Sequence, residues 1–72
     1  MNPSNLVAVH VTAVRPPQRP TDTVLVVVGT IHGTPVSFAA EPRMAYDIRR
    51  ALAEGQTVVT MIEQWQVLGS SN

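Results

Sequence analysis

Two histidines and five carboxylates are the side chains of this 72-residue sequence best suited to acid–base or metal chemistry. Histidine titrates near neutral pH, so His10 and His32 are the natural candidates for proton transfer or metal ligation. No third ligand stands at a metal-like spacing from either of them. The sequence contains 0 cysteines, which excludes disulfides and thiolate zinc sites. We therefore predict no metal site and no cofactor.

Four of the five carboxylates have structural explanations. Asp22 suits a turn, whereas Glu41, Asp47 and Glu54 belong to the start and the exposed side of a predicted helix. Glu63 is the exception, because it falls on a strand face that is otherwise apolar. A hydrolytic pair would need two carboxylates within a few ångströms of each other, which the spacing does not indicate.

Nucleophile and phosphate motifs are missing from the sequence: no serine stands in a Gly-x-Ser-x-Gly elbow, and no glycines cluster into a phosphate loop. We therefore expect a non-enzymatic protein. An active site shared between subunits and built from His10, His32 or Glu63 stays open as an alternative.

Nucleic-acid binding has a candidate surface on the predicted helix, where Arg43, Arg49 and Arg50 accompany Tyr46 as a stacking residue. The formal net charge is +0, since five basic residues balance five acidic ones. Affinity for nucleic acid needs an excess of positive charge, so the composition argues against it. A small barrel that binds single-stranded nucleic acid or a small ligand through these four residues remains the alternative function.

Self-association is the function class that the composition favours. The chain is 44% hydrophobic and only 14% charged, against roughly 25% charged residues in an average soluble domain. A domain this short buries barely enough apolar surface to fold alone. We predict a homo-oligomer, or a complex with another protein, and the apolar contact residues would be Trp65, Val67, Leu68 and Val27.

The pattern of apolar residues predicts the elements that position these side chains. Alternation indicates strands over 6–14, 23–31 and 34–40, with a hairpin turn at His32 and Gly33. Pro42 and Gly55 bracket an amphipathic helix over 42–54. A last strand is predicted over 57–68. The order is β-β-β-α-β, with one amphipathic helix before the last strand.

These elements predict one small α+β domain over 1–72 with flexible ends at 1–4 and 69–72. The sheet is expected to have four mainly antiparallel strands in the order 3-2-1-4, with the last strand parallel to the first, or to curl into a half-open SH3-like barrel. No apolar run is long enough for a membrane span, and the start does not resemble a signal peptide. A cytoplasmic location is expected.

The function predicted from the sequence is a small interaction module, acting as an accessory, inhibitor or adaptor protein. All five basic residues are arginine, and alanine, valine and proline are frequent. This usage is typical of GC-rich genomes, so we expect a bacterial or phage-like source.

Overall fold

A computed structural model describes residues 5–17, 19 and 23–70 of the chain. It confirms a small α+β fold with one amphipathic helix and an antiparallel sheet curled into a half-barrel. The elements in chain order are β1 (Leu6–Arg15), β2 (Leu25–Ile31), β3 (Thr34–Ala40), α1 (Pro42–Ala53), β4 (Val59–Glu63), a 3₁₀ helix (Gln64–Gln66) and β5 (Val67–Ser70).

The sheet has five strands in the order β4-β1-β2-β3-β5, and every neighbouring pair is antiparallel. The predicted sheet is therefore wrong in strand number and in its full order, because β5 is added beside β3, although the predicted neighbours 3-2-1-4 are all present. β4 does lie beside β1, but it runs antiparallel to it, so the connection through α1 is not a parallel crossover.

The segment 57–68 was expected to be one strand, and the 3₁₀ helix divides it. The backbone N–H of Glu63 donates to Oε1 of Gln66 over 2.8 Å, and the Glu63 side chain accepts from the backbone N–H of Gln66. This reciprocal capping box ends β4 and turns the chain. β5 then pairs with β3 and includes Gly69 and Ser70, which the sequence assigned to a flexible end. Residues 1–4, 71 and 72 of the expected ends lie outside the described residues.

A bulge in β1 changes which of its side chains face the core. Val11 pairs with Gly29 and Ala13 with Val28, so Thr12 is left between them without a partner in β2. The Thr12 hydroxyl donates to the carbonyl of Val28 over 3.2 Å. A bulge adds one residue and reverses the alternation beyond it. Val14 therefore packs against the core, although simple alternation placed it on the opposite face from Val11.

The β2–β3 hairpin turns at the predicted position. His32 and Gly33 have φ values of 49° and 82°, and these two positive values are the signature of a type I′ turn. Ile31 and Thr34 close the ladder on either side of the turn.

The helix also begins and ends as its sequence indicates. Pro42 occupies its first turn, and Gly55 follows its end with a φ of 79°. The N–H of Gln56 donates to the carbonyl of Ala51 over 3.0 Å and that of Gly55 to Leu52 over 3.0 Å, which is a Schellman motif.

The hydrophobic core lies between α1 and the inner face of the curled sheet, and α1 contacts mainly β1 and β2. Within the described ranges, no helix has the length and apolarity needed to cross a membrane. The core residues are Val9, Val11, Val27, Val36, Phe38, Ala40, Ala45, Ile48 and Ile62.

Candidate functional site

Large hydrophobic side chains are exposed at intervals over residues 59–68 and at the first residue of β1. We call this set the edge surface, because it follows β4, the 3₁₀ helix and β5 together with the first residue of β1. Its exposed fractions range from 49% to 79%, which is far above those of core residues. Its members are Leu6, Val59, Met61, Trp65 and Leu68.

Val59 and Met61 lie on the outer face of the sheet, the side opposite the core. Ile62, next to Met61 in the chain, is buried in the core, and successive side chains of a strand alternate between faces. Met61 pairs with the half-buried Ala8, and Val59 pairs with His10. The helix packs on the other face, so this part of the sheet is left open to solvent.

The outer edge of β4 also presents backbone groups. The N–H of Gln64 donates to Asn5 and that of Val11 to the carbonyl of Val58, each over 2.9 Å. The even-numbered residues of this strand therefore direct their backbone groups toward β1, and the odd-numbered ones direct theirs away from it.

Three residues of β4 thus direct their backbone N–H and C=O groups toward the open edge: Val59, Met61 and Glu63. Glu63 has its N–H occupied by Gln66, as the capping box requires. Val59 and Met61 present one donor and one acceptor each along the open edge of the sheet. A strand edge of this kind is a template for pairing with another strand.

An open pocket of about 400 Å³ lies beside the hairpin turn, where β2, β3 and the 3₁₀ helix approach the start of β1. This volume falls within the range of about 300–1,000 Å³ that is usual for small-ligand pockets. Its apolar lining comes from four side chains and its polar lining from three. These residues are Val7, Ile31, Val36, Val67, His32, Thr34 and Gln64.

The three candidate catalytic residues lie on three different elements of the fold. His10 lies exposed in β1, His32 is exposed in the hairpin turn, and Glu63 caps the 3₁₀ helix. Among the residues that the structure describes, no group of at least three His, Asp or Glu side chains could hold a metal ion. The position of Glu63 on an apolar strand face is explained by its role in capping the 3₁₀ helix. The spacing of three residues between Glu63 and Gln66 was the sequence signal for this role.

The candidate nucleic-acid residues Arg43, Tyr46, Arg49 and Arg50 are all exposed on α1. At 100° per residue, Arg43 and Arg50 share an arc of about 60° with Asp47 and Glu54, which are also exposed. The positive and negative side chains alternate on this face, so it forms no concentrated basic patch.

The four predicted interface residues fall into different environments. Trp65 is 79% exposed and Leu68 is 62% exposed, whereas Val67 is half-buried and lines the pocket. Val27 is fully buried in the core, which leaves it no surface to offer a partner. Its place on an apolar strand was visible in the sequence, but not which face would be covered by α1.

Comparisons of this chain with known protein families, with curated proteins and with solved structures find no significant match. Its function is therefore inferred from its residues and their geometry.

Proposed function

We propose that this chain is a small non-enzymatic protein-interaction module that assembles with copies of itself through the edge surface. The observation that carries the proposal is the exposure of Trp65, at 79%, together with that of Val59, Met61 and Leu68. Tryptophan and methionine are enriched in the centres of protein interfaces, and tryptophan is prominent among binding hot spots.

The charge distribution supports the same function. From residue 55 to residue 62 the chain carries no charged side chain, so two copies of this segment can approach without like-charge repulsion. The formal net charge of +0 adds no long-range repulsion between whole molecules. We place the module in the cytoplasm of a bacterial or phage-like host, acting as an accessory, inhibitor or adaptor protein.

Intrinsic fluorescence tests this function, because Trp65 is the one tryptophan of the chain. If a second copy covers it, its emission maximum moves to longer wavelengths as the protein is diluted and the assembly dissociates. Emission typical of solvent-exposed tryptophan at every concentration would contradict the proposal.

Two variants make the fluorescence test specific. Val59→Ser is expected to raise the midpoint concentration of the shift by roughly tenfold, because Val59 is an exposed apolar side chain of β4 that a second copy would cover. Tyr46→Ser is the matched control, since Tyr46 is 60% exposed but lies on α1, away from the edge surface. Equal effects of the two variants would argue against the edge surface as the contact.

The pocket of about 400 Å³ favours a second candidate, a half-barrel that binds a small, largely apolar ligand. Thr34→Trp would fill the pocket from its exposed rim without replacing a core residue. A compound that raises the unfolding temperature of the native chain but not of this variant would support ligand binding.

Binding of single-stranded nucleic acid through the helix arginines is the other form of the alternative function. It predicts oligonucleotide binding that falls steeply with salt concentration, and no binding in a titration at low salt would contradict it.

A further inference from the structure

We infer that the contact is an antiparallel pairing of β4 with β4 of a second copy, centred on Thr60, which joins two five-stranded sheets into one of ten strands. This inference rests on the proposed self-assembly and specifies its geometry. The open edge of β4 carries it, because Val59 and Met61 present their backbone groups there and Thr60 lies between them.

A two-fold axis through Thr60 satisfies both open residues at once. Val59 then stands opposite Met61 of the second copy, and Met61 stands opposite its Val59. Each of these two pairs exchanges two backbone hydrogen bonds, which gives four in total. Thr60 faces Thr60 of the second copy in a pair without backbone hydrogen bonds, where the side chains of antiparallel strands come closest.

The ends of the open edge select this register over its neighbours. A pairing centred on Met61 would place Val59 opposite Glu63, whose N–H is already occupied by Gln66. A pairing centred on Val59 would place Met61 opposite residue 57, which precedes the first residue of β4. Centring on Thr60 pairs Val59 and Met61 only with each other and leaves neither without a partner.

The side chains and the chemistry of the edge favour a second copy as the occupant. On the outer face, Val59 of one copy meets Met61 of the other, so apolar side chains that are 49% and 56% exposed cover each other. Natural sheets protect open edges with proline, lysine or other charges, and β4 has none of these before Glu63. In a pairing with a second copy, every open backbone donor and acceptor of Val59 and Met61 forms a hydrogen bond.

Replacement of Met61 by proline tests the backbone ladder. The N–H of Met61 points away from β1, so Met61→Pro removes a donor from the proposed contact without removing a hydrogen bond of the β1–β4 ladder. Two of the four intermolecular hydrogen bonds are lost across the symmetric pair. At about 1 kcal/mol each, we expect the dimer to weaken at least tenfold.

Met61→Ala is the matched control, because it shortens the same side chain and keeps the N–H. We expect it to weaken the dimer less than Met61→Pro, and far-ultraviolet circular dichroism of both variants checks that the fold is kept. Equal dissociation constants for the two variants would overturn the ladder.

A cysteine scan tests the register independently of proline, since the natural chain has 0 cysteines. Across a non-hydrogen-bonded antiparallel pair the Cβ atoms lie about 4.5–5.5 Å apart, close to the separation that a disulfide needs. Thr60→Cys should form a disulfide-linked dimer under mild oxidation. Val59→Cys should not, because each Val59 lies diagonal to its copy.

The outcomes separate this inference from the function on which it rests. If the wild-type chain dimerises and Thr60→Cys does not cross-link, the copies meet through another surface and the β4 register is wrong. If the wild-type chain is monomeric at every concentration, self-assembly fails and the register fails with it.

Discussion

At the scale of single residues, Gly29 shows how closely two strands of this sheet approach each other. A Cβ atom at this position would overlap the carbonyl oxygen of His10 and lie 2.8 Å from Cγ1 of Val9. A glycine inside an apolar strand indicates a bulge or a close approach, and both are present here, since its partner Val11 adjoins the bulge at Thr12. The partner atoms are mostly backbone, so they cannot move aside cheaply.

Gly29→Ala should therefore destabilise the fold by about 2–3 kcal/mol, the cost of overpacking a closely packed interior. Urea unfolding followed by circular dichroism measures this free energy. The control is Gly33→Ala, where a Cβ meets nothing within 4 Å but the φ of 82° strains alanine. We expect about 1 kcal/mol for the control. A smaller loss for Gly29→Ala than for Gly33→Ala would contradict the close approach.

At the scale of elements, the sequence predicted the helix, the hairpin and the first three strands from capping residues and alternation. It missed the division of 57–68 into β4, the 3₁₀ helix and β5. Apolar alternation continues through Trp65 and Val67, so periodicity alone cannot detect a turn that two side-chain contacts impose. The spacing of Glu63 and Gln66 carried that signal, but a capping box is usually sought before an α-helix.

Gln66→Ala tests whether this capping box ends β4. The variant loses the hydrogen bond of 2.8 Å from the Glu63 N–H, and we expect unfolding to become easier by about 1 kcal/mol. Gln64→Ala is the control, because Gln64 is exposed and its N–H bonds to Asn5 through the backbone. Chemical denaturation compares the two, and an equal loss of stability in both would remove the capping box as the cause of the turn.

At the scale of the whole molecule, one helix covers one face of a sheet whose strands are apolar on both. The sequence predicted, from its composition and short length, apolar surface that a partner would cover. It assigned this surface to four residues, of which Trp65 and Leu68 are exposed, but it could not tell which strand face α1 covers or where the sheet stops. Val27 consequently belongs to the core, whereas Val59 and Met61 lie exposed at the edge.

The order predicted from the sequence placed the fourth strand at an edge beside β1, as the structure does, but it missed β5 as the other edge. Strand order depends on long-range pairing, and because β5 pairs with β3, β4 and β5 form the two edges of the sheet. The open edge of β4 follows from that topology and from the parity of its hydrogen bonds, and neither of these features is visible in composition.

The measurement that tests self-assembly most directly is the solution mass of the wild-type chain, obtained by light scattering over a hundredfold range of concentration. One chain has a mass of 7.8 kDa. Pairing through β4 predicts a mass that rises with concentration and levels off at twice that value, because a two-fold contact closes on itself. A mass of one chain throughout the range would contradict self-assembly, and a mass that grows beyond two chains would contradict the closed β4 pair.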